Sequence, residues 1–272
     1  MKLNKGQIYL PKNRNANKVK YLCICAHQDD AEIMAIDGIL KGYYSKKYSF
    51  ALVVTSDGAG SARSGVFKDY TDEMMKKVRI DEQKEASEIG GYHSLYLLNY
   101  TSNEIKEKNN DLIVNEFVRI IKELKPEVIY THNILDKHKT HLGVAFKVIE
   151  AVRSLPKIDQ PKLFYGCEVW RGLDWVNDEM KVGFNVSRNI KLAKKILNVY
   201  KSQIEGGKEY TKATIGRRYQ NATYYKSHSV DSFKQVSYAI DYRPLLQNPN
   251  LTVKDFALSF VDKLKEEVLE TF

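Results

Sequence analysis

The sequence predicts an α/β protein with a mainly parallel sheet covered by helices on both faces, and three observations carry that prediction. Short apolar runs alternate with longer amphipathic segments through the first two-thirds of the chain, the rhythm of repeated strand–helix–strand units. A hydrophobic fraction of 43% over 272 residues is ample for a continuous core. Two of the apolar runs end in polar clusters, His27-Gln28-Asp29-Asp30 and Asp136-Lys137-His138-Lys139-Thr140-His141, and open α/β sheets carry their chemistry at the carboxyl ends of strands.

Taken in order, apolar runs predict strands near 19–26, 49–55, 94–99, 127–132 and 162–170. Between them, helices are expected near 30–46, 72–90, 111–124 and 140–153. Thr71 caps the second of these, with Met74, Val78, Ile80 and Ala86 among its apolar positions and Gly90-Gly91 ending it. The segment from Asp57 to Gly65 is small, polar and Gly-rich, hence a loop; it has neither the Gly-Lys-Ser/Thr of a Walker loop nor the spacing of a dinucleotide fingerprint. After Trp170 the rhythm breaks into a short run at Val182-Gly183-Phe184 and a helix capped by Ser187 that extends to about Ile204. The Tyr- and Arg-rich stretch from Gly206 to Asp231 has no clear period and is expected to close over the sheet's carboxyl edge. A last amphipathic helix spans Val253 to Leu269. Without repeats or a low-complexity linker, the expectation is one domain over 1–272, with a core near 19–170 and an extension over 171–272.

Composition narrows the classes of function. Cys23, Cys25 and Cys167 have no zinc-finger spacing and read as buried small hydrophobes. No charged segment followed by an apolar one opens the chain and no apolar run is long enough to cross a bilayer, so a cytoplasmic location is expected, with the sequons at Asn185 and Asn221 incidental. The formal charge of +9 comes from scattered lysines and no nucleic-acid recognition module is visible, so a solvated surface is expected and no nucleic-acid partner.

A catalytic zinc site needs three protein donors and one open position. His27, Asp30 and His141 supply two imidazoles and a carboxylate from two strand ends, which leaves Asp29 free to act on a bound water. Capping alone would explain acidic residues at a helix start, but it does not call for paired histidines after another strand. The same donors also suit iron, cobalt or manganese.

His27-Gln28-Asp29-Asp30-Ala31-Glu32-Ile33 resembles the His-Pro-Asp-Asp signature of the PIG-L (LmbE-like) zinc-dependent deacetylases, and Asp136 to His141 resembles their second motif of two histidines three apart. Val54 to Gly60, and Arg79 with Glu82, extend the resemblance, which covers about residues 19–170. It implies a Rossmann-like, three-layer fold without a nucleotide, and hydrolysis of an N-acyl group, usually acetyl, from an N-acetylglucosamine-type conjugate. By that resemblance the zinc ligands are His27, Asp30 and His141, Asp29 is the general base, His138 stabilises the oxyanion, and Arg79 touches the sugar or its aglycone.

The chain departs from the pattern at Gln28, where proline is usual, at Met34 to Gly38, and at Asn99, near a position often held by a substrate-binding aspartate. Substrate specificity is therefore expected in Asn99 and in loops around Arg63, Trp170 and Tyr224. His132 reads equally as a residue behind the metal site or as packing, while His93 and His228 read as ordinary turn or surface histidines. The partner expected is a small amino-sugar conjugate, and the sequence leaves room for a homo-oligomer. The other function class is a carbohydrate or nucleotide-sugar binding module of the same fold; the intact aspartate pair counts against it.

Overall fold

The computed structural model describes residues 2–14 and 16–272. Its strands are β1 (Gln7–Tyr9), β2 (Lys18–Cys25), β3 (Tyr48–Ser56), β4 (Leu95–Tyr100), β5 (Val128–His132), β6 (Leu163–Cys167), β7 (Val182–Asn185) and β8 (Val236–Asp241). They form one sheet in the order β1-β4-β3-β2-β5-β6-β8-β7. The central strands β4, β3, β2, β5 and β6 are parallel to their neighbours, with β1 and β8 added antiparallel at the two sides and β7 antiparallel to β8.

The helices are α1 (Asp30–Met34), α2 (Ile36–Tyr44), α3 (Asp72–Gly90), α4 (Ser102–Lys106), α5 (Asp111–Leu124), α6 (Lys139–Ser154), α7 (Ile190–Leu197), α8 (Lys201–Ile204), α9 (Tyr210–Thr223), α10 (Arg243–Gln247) and α11 (Val253–Thr271). Strand residues alternate between two core layers because successive side chains point to opposite faces. Leu22, Ile24, Ala51 and Val53 join Phe117 and Ile120 of α5 and Val144 and Val148 of α6 on one face. Cys23, Cys25, Leu52 and Val54 join Ile39 of α2, Ala86 of α3 and Ile196 of α7 on the other. All three cysteines are free and buried, as expected of small core residues.

The strand order reverses beside β2: the chain runs from β2 out to β3 and β4 on one side, and later to β5 and β6 on the other. The loops after β2 and β5 therefore diverge to opposite faces and leave a crevice between them. Both polar clusters lie there, which is why residues more than a hundred positions apart in sequence meet.

The five expected strands and the helices over 72–90, 111–124, 140–153 and 253–269 are present within a few residues. Thr71 caps α3, its hydroxyl accepting the Met74 N–H at 3.3 Å, and Gly91 takes φ +62° past the last turn. The structure corrects four expectations. The last strand of the parallel core stops at Cys167, freeing Glu168 to Trp170 as loop. Asn189, not Ser187, caps α7, accepting the Leu192 N–H at 2.9 Å; Ser187 instead donates to Asn185 Oδ1 at 2.6 Å. The expected helix over 30–46 is two helices broken at Ala35. The periodless stretch after Gly206 holds α9.

The last two corrections have one cause. The buried residues of α9 are Thr214, Ile215, Arg218, Asn221 and Ala222, helical in spacing but mostly polar, so hydrophobic periodicity does not find them. Arg218 is 2% exposed and its Nη2 donates to the carbonyls of Glu32 and Ile33 at 2.8 and 2.9 Å. Those are carbonyls left without helical partners where α1 ends, so an arginine from the extension stabilises a break that no glycine or proline signals. Arg218→Met is expected to lower the free energy of unfolding by about 2 kcal/mol, the scale of lost charge-assisted hydrogen bonds. Urea denaturation of the two proteins measures it, and equal midpoints would refute the role.

Candidate metal centre and active site

The backbone turns sharply after β2. Asp29 is a non-glycine residue at φ +91° and its N–H donates to Gln83 Oε1 at 3.3 Å. Gln28, fully buried where proline was the usual residue, sends its side-chain amide to the Ser56 carbonyl at 3.5 Å and so ties the end of β2 to the end of β3. Gly58 completes that contact: it has φ +75°, and a Cβ there would lie 2.6 Å from Gln28 Oε1 and 3.2 Å from Arg79.

This turn aims His27 and Asp30 at His141, which lies in the first turn of α6. His27 Nδ1 is 3.1 Å from His141 Nε2 and 3.2 Å from Asp30 Oδ2, and His141 Nε2 is 3.4 Å from Asp30 Oδ1. Three donors at metal bond lengths of about 2.0–2.1 Å in tetrahedral geometry would be spaced about 3.3–3.4 Å apart. The residues thus fit a divalent cation, one position of which would be left for water or substrate. Two further groups of described residues bring their donor atoms close together, His27 with His138 and His141, and Asp30 with His132 and His141, so His141 is common to every combination and each proposed donor appears in one of them.

The second group is limited by tautomer. His132 Nε2 accepts the Ala26 N–H at 2.9 Å, so its lone pair is already engaged. Its ring stacks on His141 at 3.9 Å, and this places His132 behind the donors, as packing against the site. On the other side, His141 Nδ1 lies 3.4 Å from Asp136 Oδ2, which also accepts the Trp170 N–H at 3.1 Å. A carboxylate behind a ligating imidazole fixes its tautomer and orientation. Asp136→Asn is expected to weaken metal affinity about 10- to 100-fold, and titration with zinc in the presence of a competing chelator measures it.

Charge follows from burial. Desolvation pulls the His141 pKa down to about 3, against the opposing pull of the Asp30 carboxylate. Asp30 stays ionised: burial opposes its charge, but the facing imidazoles outweigh it and hold its pKa well below the usual carboxylate range. Asp29 moves the other way, to about 7, pushed up by burial against the pull of Arg79. Two adjacent carboxyls with separated proton affinities suit one to a ligand role and the other to proton transfer.

These residues open into a cavity of about 220 Å³. Asp29, Asp30, His27 and His138 form its floor and Trp170 one wall, while Gln203, Lys208 and Tyr210 from the extension close it. His138 lies edge-on to His27 at 5.0 Å between ring centroids and stacks on Trp170 at 6.0 Å, and its Nδ1 is buried without a partner.

Other expected contacts fall elsewhere. Arg79 reaches the cavity but is 1% exposed, and its Nη2 donates to Asp29 Oδ2 at 3.0 Å and to the Gln28 carbonyl. It therefore holds the proposed base, where contact with sugar was expected. Arg63 turns aside to Asp72 and to the Ala59 carbonyl. Asn99, at φ +57°, lines a separate groove beside Gln7 and Lys76. Neither Arg63 nor Asn99 is in the cavity wall: the loop after β3 lines it only as far as Ala62, where the Arg63 side chain turns to Asp72, and past β4 the wall is Ser102. Tyr224 is 79% exposed, and Trp175 donates its indole N–H to the Gly172 carbonyl at 3.1 Å and packs on the core.

The family model for PIG-L, described as GlcNAc-PI de-N-acetylase, matches residues 22–152. Over that segment the chain is similar to the PIG-L family. No curated protein sequence matches it. In fold, the chain is similar to N,N'-diacetylchitobiose deacetylase from Pyrococcus horikoshii, with a TM-score of 0.66 at 16% identity over 86% of this chain and 88% of that one. It is similar to the A40926 pseudoaglycone deacetylase Dbv21, with a TM-score of 0.60 at 11% identity over 82% and 97% of the two chains. It is also similar to GalB, the 4-carboxy-2-hydroxymuconate hydratase from Pseudomonas putida KT2440, with a TM-score of 0.59 at 15% identity over 86% and 98%. Two of these are deacetylases and one is a hydratase, so the shared fold alone does not choose a reaction.

Two features of this protein were not assigned from sequence. Asp136 lay inside the second motif but had no role beyond it. Glu82 accepts both the N–H and the hydroxyl of Ser202 at 2.7 Å and lies 3.8 Å from Arg79, which ties the extension to the helix that holds Asp29. Only a fold that lays α8 on α3 makes that pair visible.

Proposed function

We propose that this protein is a metal-dependent N-deacetylase that hydrolyses the amide of an N-acetylglucosamine-type conjugate. The observation that carries the reading is the convergence of His27, Asp30 and His141, whose nearest donor atoms lie 3.1–3.4 Å apart, with the Asp29 carboxyl, held by Arg79, beside them on the cavity floor. His27, Asp30 and His141 would hold the cation, with zinc the first choice for two imidazoles and a carboxylate and iron the next. When bound there, a divalent cation acidifies water and polarises the amide carbonyl.

The remaining work falls to side chains. Asp29, oriented by Arg79, takes a proton from the attacking water and returns it to the nitrogen as the carbon–nitrogen bond breaks, so that water and amide become carboxylic acid and amine. His138, with a ring nitrogen unengaged, stabilises the negative charge that develops on the carbonyl oxygen. Trp170, beside it, offers a flat face to a sugar ring. The family description and two deacetylase neighbours support the amide as substrate. Among the described residues no helix is long and apolar enough to cross a membrane.

Release of acetate from N-acetylglucosamine and its conjugates, before and after removal of metal with a chelator and again after zinc is restored, tests the proposal. Activity lost and recovered with the metal is the expected result. Full activity in chelator would refute metal dependence, and the absence of acetate release with zinc bound would refute the deacetylase reading.

A further inference from the structure

A second cleft opens from the same acidic pair, and its chemistry is unlike that of the first. The cavity described above is walled by groups suited to hydroxyl-rich ligands, among them Ser56, Asp57, Ser61, Ser102, Gln203 and Lys208. The second cleft, of about 160 Å³, shares Asp29, Asp30, Trp170 and Tyr210 with it but runs between α1 and α9. Its own walls are Ile33, Val169, Ala213 and Thr214, with Arg217 spending a guanidinium N–H on the Val169 carbonyl. Ile33, Val169 and Thr214 are buried, whereas Ala213 is exposed and marks an open outer end.

An amide at the shared floor carries two substituents that must leave in different directions, the sugar on nitrogen and the alkyl chain on carbon. Polar walls on one side and apolar walls on the other sort them. We propose that the α1–α9 cleft binds the acyl chain of the scissile amide and accepts linear saturated acyl groups of up to about six carbons, since a dry apolar cavity of about 150 Å³ holds a six-carbon ring. The inference rests on the amidohydrolase reading above and adds its acyl specificity. The outer wall comes from α9, outside the matched residues 22–152, so the width of the cleft is a property of this chain's extension.

The test is a series of N-acetyl-, N-butyryl- and N-hexanoylglucosamine, assayed with the zinc-loaded protein and titrated calorimetrically against Asp29→Asn, which binds without turnover. Burial of each added methylene is expected to raise kcat/KM and tighten binding by roughly three- to fourfold. Ala213→Trp, which fills the outer end, should lower the hexanoyl-to-acetyl ratio at least about tenfold. Turnover of the acetyl compound with the hexanoyl compound about a hundredfold slower would overturn the cleft assignment and leave the deacetylase reading intact. Should no member be hydrolysed, the deacetylase reading fails, and calorimetry decides the cleft separately: hexanoyl binding no tighter than acetyl overturns it.

Discussion

In Asp29→Asn, metal content is expected to remain at the wild-type level while kcat falls roughly 10²- to 10⁴-fold, the usual contribution of a general base. The substitution is nearly isosteric, so the amide oxygen can still accept from Arg79, which donates to Oδ2 at 3.0 Å, and the backbone can keep its bond to Gln83. What is lost is the ability to take up a proton. A left-handed φ of +91° at a buried aspartate, held by an arginine that is itself buried, is a costly arrangement, and such outliers concentrate where a side chain must be aimed. Elemental analysis and steady-state kinetics on the same preparation separate the outcomes: unchanged kcat would remove Asp29 from the mechanism, and loss of metal would make it a ligand.

His141→Ala is expected to lose the metal, from about one equivalent per chain to background, and to lose turnover with it. His141 is common to both metal-capable groups, so its removal takes a donor from each. The ring also stacks on His132 at 3.9 Å and is fully buried. A truncation therefore leaves a cavity, and circular dichroism on the variant distinguishes an empty site from an unfolded one. His141→Gln, which fills the space with a poorer donor, should show the same loss of metal in a well-folded chain. Retention of a full equivalent by folded His141→Ala would refute the proposed centre.

The sequence alone determined the strand rhythm and the two motifs. Strands β2 to β6 are legible because each is buried on both faces and reads as a nearly continuous apolar run. His27, Asp29, Asp30, His138 and His141 stand out because they follow such runs immediately, where a strand ends and its polar groups must face solvent or a ligand. Thr71 and Gly91 are legible because caps act through neighbours within a few residues.

Tertiary structure alone decided everything that depends on partners distant in the chain. The break at Ala35 is set by Arg218, 183 positions onward, and α9 itself is hidden because its inward face is polar and is satisfied only once α1 and β8 are in place. Arg79 was assigned by sequence to the substrate and Glu82 to nothing; packing buries both, and burial obliges them to pair with Asp29 and Ser202. The reversal of strand order beside β2 brings the two motifs to one crevice, while the pairing of Arg63 with Asp72 takes its side chain out of it. Local patterns record what a residue prefers, and the assembled sheet determines which residues can reach one another.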